Sequence, residues 1–186
     1  PDELRDILLE SIYGVEREQD ACYVAEFSLL LTLLHYLEPR DLQNLEFQFP
    51  RLHDKQIFAC DFFNPDAKFW GQGLKFDCII GNPPWIELKP STKGEEYARA
   101  WIKDHKSDCP VGGNRVAEAF SWLVTDLLTP DGIVGLILPA TSLVNLESQN
   151  YRKHFFTQHE VLRMTNFSNL REVLFNRRGP LPEATM

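Results

Sequence analysis

The stretch Asn82-Pro83-Pro84-Trp85 sets an amide, two prolines and an indole directly behind the apolar run Cys78-Ile79-Ile80 and Gly81. Proline fixes φ at about −65° and restricts the residue before it, so this segment is held rigid by covalent geometry. Prolines also carry no N–H, and the loop therefore presents mainly acceptors. The Asn82 side-chain oxygen and the Pro83 carbonyl can converge on one NH₂ group, which makes the segment a receptor for an amine. Trp85 offers a flat face on which a planar ring can stack, a contact worth about 1–3 kcal/mol per base. An Asn-Pro turn with Trp85 packed into a core would use the same residues. Two carboxylates stand at comparable places upstream. Glu16 closes the short apolar segment SIYGVE, and Asp61 follows KQIFAC. A carboxylate at a strand end can take two hydroxyls side by side, although ordinary turns also place acids there.

The elements that would position these groups alternate. PDELRDILLE (1–10) reads as the end of a helix, residues 11–16 as a strand, and residues 20–37 as a helix near the 3.6 period, with Asp20 as N-cap. Residues 55–63 and 75–82 read as strands, the second with the continuous apolar run of a strand buried on both faces. A polar loop is expected over 86–113. A helix over 115–128 capped by Asn114, a turn at Thr129-Pro130-Asp131-Gly132, a fully apolar strand over 133–139, a helix over 145–158 and a strand over 160–168 complete the pattern. Strands alternating with helices of this length predict crossover connections and a mainly parallel sheet, with ligands at the carboxyl ends of the strands.

Composition bounds the class. With 44% hydrophobic and 12% aromatic residues in 186, the chain suits one globular domain or part of one. The apolar stretches fall short of the roughly 20 residues that span a bilayer, and no signal pattern opens the chain, so a soluble cytoplasmic protein is the expectation. Cys22, Cys60, Cys78 and Cys109 form no C-x-x-C pair and stand beside no histidines at ligand spacing, so no metal site is expected. Cys22, Cys60 and Cys78 read as small core residues. A net charge of −8 has the wrong sign for gripping nucleic acid over the whole surface, so any such contact is local.

The residues FDCIIGNPPW resemble the (D/N/S)-P-P-(Y/F/W) motif of S-adenosylmethionine-dependent amino-methyltransferases, in particular the adenine-N6 DNA methyltransferases of restriction-modification systems. YGVEREQDACYVAEFSLLL, FACDFFN, AEAFSWLVTDLLTPDGIVGLILPATSLV and YRKHFFTQHEVLRMTNFSNLREVLF are similar to further family segments, so the resemblance covers residues 1 to about 175. It implies an α/β, Rossmann-like class I methyltransferase with a mainly parallel sheet flanked by helices, lacking the first strand and the last strands. It further implies that Glu16 binds the ribose hydroxyls of S-adenosylmethionine and that Asp61 binds its adenine amino group beside Phe62. Asn82 and Pro83, held by Pro84, would grip the N6 amine of a flipped adenine in double-stranded DNA, and Trp85 would stack on that base.

Departures from the family pattern carry expectations of their own. No glycine-rich cofactor motif lies in residues 1–10. The resemblance then implies that residues 1–186 are part of a catalytic domain, with the glycine-rich loop upstream and the target-recognition domain downstream, and with specificity and endonuclease parts fused or separate. The missing strand would lie between those ending at Glu16 and Asn82, so the isolated fragment should bind cofactor poorly. The loop after the motif, with Lys89, Lys93, Arg99, Lys103 and Lys106, is expected to border DNA and to order on binding; a solvated loop with balancing acids fits the same residues. Two other activities fit the acceptor loop: methylation of a glutamine side-chain amide in release factors, and a non-catalytic DNA-binding subunit with a methyltransferase fold.

Overall fold

The computed structural model describes residues 2–43, 47–167 and 184–185. The chain is mixed α/β, and its contacts group into two compact units, Pro1–Gly73 and Leu74–Met186.

The first unit runs α1 (Asp2–Glu10), β1 (Gly14–Glu16), α2 (Gln19–Tyr36), α3 (Pro39–Leu42) and β2 (Ile57–Ala59). β1 and β2 are parallel, with Gly14 opposite Ile57 and Glu16 opposite Ala59. Leu8, Cys22, Leu33, Leu52 and Ile57 form the core, with Leu4, Leu29 and Leu30 against it. Each such side chain withdrawn from water contributes about 1.5–3 kcal/mol. Polar side chains fasten the loops to this core. Glu26 Oε1 accepts from the backbone N–H groups of Leu52 and His53 at 3.0 and 3.2 Å, and Gln56 Nε2 donates to the Leu9 carbonyl at the end of α1 at 2.7 Å. The N-cap of α2 is Glu18 and not Asp20; Asp20 lies inside the first turn, where its charge faces the positive end of the helix dipole.

The second unit contains β3 (Phe76–Gly81), α4 (Glu96–Asp104), α5 (Val116–Thr125), β4 (Leu128–Leu136), β5 (Leu138–Pro139), α6 (Thr141–Val144), α7 (Gln149–Gln158) and β6 (Ala184–Thr185). β3 and β4 are parallel, whereas β5 and β6 are antiparallel. The expected turn at 129–132 lies inside β4. The register jumps from Phe76 opposite Leu128 to Cys78 opposite Ile133, so Thr129–Gly132 bulge out of the ladder.

α5 is the apolar centre of this unit. Its Val116, Ala117, Ala119, Trp122 and Val124 are buried, and Trp122 meets the rings of Tyr151 and Phe155 edge-on from α7. The helix covers the sheet face of Gly81 and Leu136, where Phe120 approaches Gly81. The opposite face stays open: Ile80 is 84% and Ile133 54% exposed, and Cys78 is exposed with them. β3 is therefore not buried on both faces, nor is Cys78 a core residue, because α5 lies on the alternate side of the pleat.

Three further expectations change. The segment after Trp85 is not simply a loop, since α4 forms in it and buries Ala98 and Ile102 one turn apart on one face. The helix of 115–128 begins at Val116 with Arg115 as N-cap, and Asn114 instead adopts a left-handed φ of 54° in the turn before it. Residues 160–165 form no strand, although Asn166 within the same expected segment stands at a bridge position. Residue 168, the last of that expected strand, lies outside the described residues.

Candidate functional site

In the first unit the parallel register brings two carboxylates to one end of the β1–β2 pair. Glu16 is the last residue of β1, and its carbonyl accepts the Cys60 N–H at 3.0 Å, so Asp61 is the next residue beyond that contact. Each acid spends one oxygen on its own turn. Glu16 Oε1 accepts from Glu18 N–H at 3.0 Å, and Asp61 Oδ1 accepts from Phe63 N–H at 2.8 Å. The second oxygen of each takes no protein donor among the described residues, and each is a ready acceptor for a hydroxyl or an amine. Phe62 is fixed beside Asp61 from two directions: Trp70 Nε1 donates to the Phe62 carbonyl at 3.0 Å, and the two rings lie 5.1 Å apart. Cys22 and Cys60 sit behind Glu16, and burial pushes both thiols up, away from the reactive thiolate.

In the second unit the Asn-Pro-Pro-Trp segment leaves the carboxyl end of β3. The Gly81 carbonyl accepts the Ile137 N–H at 3.0 Å, and Trp85 Nε1 returns to the Ile137 carbonyl at 3.2 Å. Ile137 thus grips the segment just before Asn82 and again at Trp85. Between those points Pro83 is buried while Asn82 and Pro84 are exposed, and the Asn82 amide makes no hydrogen bond among the described residues. Trp85 is half-buried, with its N–H committed to the sheet end.

The segment beyond Trp85 is tied to the start of α5. Val116 donates its N–H to the Ile86 carbonyl at 2.9 Å, Leu88 donates to the Asn114 carbonyl at 3.0 Å, and Glu87 and Arg115 form an antiparallel bridge. Beneath that bridge lies a polar network that the sequence did not announce. Glu118 is fully buried; its Oε2 accepts from Gly112 N–H at 2.7 Å and its Oε1 from Ser148 Oγ at 2.6 Å. Arg115 Nη1 donates to the Gly112 carbonyl at 3.0 Å and to Ser148 Oγ at 3.1 Å, while Nη2 reaches Glu147 Oε2 at 3.1 Å. Burial pushes the Glu118 carboxyl above its usual range, against the lowering effect of Ser148, Gly112 and Arg115.

Of the cations after the motif, Arg99 is used internally, donating through Nη2 to the carbonyls of Lys89 and Thr92 at 3.0 and 3.2 Å. Lys89, Lys93, Lys103 and Lys106 are exposed. The ordered α4 between them replaces the expected segment without structure of its own.

The structure brings Glu16, Asp61 and Phe62 together in the first unit, and gathers Asn82, Pro83, Pro84 and Trp85 around Ile137 in the second. Sequence reasoning missed Trp70, Ile137, Arg115, Glu118 and Ser148. Only Glu118 left a signal, as an acid in the otherwise apolar run Val116–Phe120. Comparison with curated proteins gives no match. The family model described as Eco57I restriction-modification methylase matches residues 10–174.

Proposed function

The chain belongs to the Eco57I restriction-modification methylase family, and we propose that it transfers a methyl group from S-adenosylmethionine to the N6 amine of an adenine flipped out of double-stranded DNA. The observation that carries this reading is Asn82: an unengaged, exposed amide at the carboxyl end of β3, locked by a buried Pro83 and by the two contacts of Ile137.

The chain's own residues fit the cofactor. The free oxygens of Glu16 and Asp61 suit ribose hydroxyls and an adenine amine respectively, and the ring of Phe62 lies beside Asp61 with its carbonyl pinned by Trp70. S-adenosylmethionine, when bound, supplies an electrophilic methyl on a sulfonium. An adenine amine is a poor nucleophile because its lone pair is conjugated with the ring. The Asn82 side-chain oxygen and the Pro83 carbonyl accept its two hydrogens, which favours a pyramidal nitrogen and aims the lone pair outward. No covalent protein nucleophile is needed, and positioning is the main contribution. Flipping the base costs a few kcal/mol, and stacking on Trp85 would recover a share of it. The exposed Lys89, Lys93, Lys103 and Lys106 would meet the phosphate backbone.

The test is methyl transfer from radiolabelled S-adenosylmethionine to unmethylated DNA by the full-length protein, beside Asn82→Ala. Label recovered as N6-methyladenine and lost in the variant is expected. Label on a release-factor glutamine, or none at all, overturns the reading in favour of a protein methyltransferase or a non-catalytic subunit.

A further inference from the structure

We propose that Arg115, acting with Glu118 and Ser148, is a positioning device for the Asn-Pro-Pro-Trp loop, holding its exit in place so that Asn82 and Pro83 meet the target amine in one geometry. The proposal rests on the functional reading above and adds a role for residues that touch neither cofactor nor base in it.

The loop has two ends. Its entry is fixed by the sheet, through the Ile137 N–H bound to the Gly81 carbonyl. Its exit is held first at Trp85 by the Ile137 carbonyl and then by the pairing of 86–88 with 114–116. That pairing is only as firm as the turn Gly112–Asn114 that presents it. Gly113 at φ 55° and Asn114 at φ 54° are the residue types that enter the left-handed region most readily, so the sequence permits this turn while its surroundings must constrain where it sits.

The buried network supplies that constraint. Gly112 is gripped at both backbone groups, its N–H by Glu118 and its carbonyl by Arg115. Ser148 Oγ accepts from Arg115 and donates to Glu118, so the two charged groups are joined through one hydroxyl as well as through Gly112. Arg115 then reaches outward, its Nη2 lying 3.7 Å from Glu87 Oε2, two residues beyond Trp85. A side chain added at Gly112 would lie 2.6 Å from the Ser148 backbone, so the space around the turn is already filled. Because Pro83 and Pro84 are stiff, a shift at Ile86–Leu88 that draws Trp85 away from the Ile137 carbonyl passes back to Asn82. A misplacement of about 1 Å originating away from the chemistry can lower a rate by about 10²-fold.

The experiment uses the full-length protein with Arg115→Lys, which keeps the charge but loses the forked geometry, and with Ser148→Ala, which removes the shared hydroxyl and no charge. Three quantities are measured: kcat at saturating cofactor and DNA, the Kd of S-adenosylhomocysteine, and amide hydrogen exchange of peptides covering 76–81 and 82–88. The expected result is a kcat lowered at least about tenfold, a Kd within twofold of the parent, and faster exchange over 82–88 with 76–81 unchanged. Unchanged exchange over 82–88, or a kcat within twofold of the parent, overturns the positioning role. So does a Kd that weakens in step with kcat, or faster exchange in both peptides, since either would report general loosening. A parent protein that transfers no methyl group to DNA overturns the functional reading itself, and the positioning role with it; a parent that transfers beside variants that match it overturns only the latter.

Discussion

Trp85 donates its indole N–H to the carbonyl of Ile137 at 3.2 Å, and the N–H of that same Ile137 is held by Gly81 at 3.0 Å. One residue just past β4 thus fixes an aromatic ring relative to the strand end from which Asn82 projects. Trp85 as a whole is half-buried.

Replacing Trp85 separates its two roles. Trp85→Phe keeps a stacking face but strands the Ile137 carbonyl, so it should cost about 1 kcal/mol of stability and leave DNA affinity within a few fold. Trp85→Ala should weaken binding of DNA carrying the target adenine by about 1–3 kcal/mol. Thermal unfolding and a DNA-binding titration at fixed salt distinguish them, and equal DNA affinities for the two variants would show that the ring does not stack.

The strand-end acids are expected to respond to isosteric change. Asp61→Asn retains an acceptor for the Phe63 N–H, which Asp61 Oδ1 now binds at 2.8 Å, but replaces the other oxygen with a donor. The turn should survive while the Kd for S-adenosylhomocysteine rises about tenfold or more, in keeping with the roughly 1.5–3 kcal/mol of a hydrogen bond to a charged group. Glu16→Gln should behave alike. Calorimetry reads the affinity, and an unchanged Kd in both variants would remove these acids from the cofactor site.

Gly112→Ala is expected to be damaging out of proportion to its size. Its Cβ would stand 2.6 Å from the Ser148 Cα and 2.7 Å from the Glu147 carbonyl oxygen, and both neighbours are backbone. Overpacking of this kind typically costs about 1–3 kcal/mol. A denaturant titration showing no loss of midpoint would contradict the packing described around this turn.

Glu118 predicts a pH dependence of definite sign. Burial raises its carboxyl in the folded state, so the folded protein holds this proton more tightly than the unfolded chain does. Stability from this group is complete below the ordinary glutamate value of about 4.3 and is lost as pH rises through the raised value. Against Glu118→Gln, which does not titrate, the parent should therefore lose relative stability as pH rises across that window and then level off. Paired melting curves from pH 4 upward check this; a relative gain with rising pH would mean that the Arg115 charge outweighs burial.

Much of the site was legible because its constraints are local. Proline geometry fixes Asn82–Trp85 within four residues, and the apolar segments before Glu16, Asp61 and Asn82 carry their own strand signals. The parallel pairing of β1 with β2 and of β3 with β4 followed from the alternation with helices. The α4 helix was readable in principle from Ala98 and Ile102, but its charges masked the pattern.

What sequence determined, then, is the set of groups on offer: a proline-stiffened loop rich in acceptors, and two strand-end carboxylates, each set by neighbours a few residues away. Only the tertiary structure decided how those groups are held. Ile137 reaches Trp85 across 52 residues and Ser148 reaches Glu118 across 30, and a buried glutamate among alanines is satisfied by that distant hydroxyl together with the Gly112 N–H. The exposed face of Ile80 and Ile133 is of the same kind, since burial depends on where α5 lies and an apolar run alone cannot specify which of its faces will be covered. Covalent geometry acts along the chain; hydrogen bonding and packing act through space, and they leave no periodic trace in the order of residues.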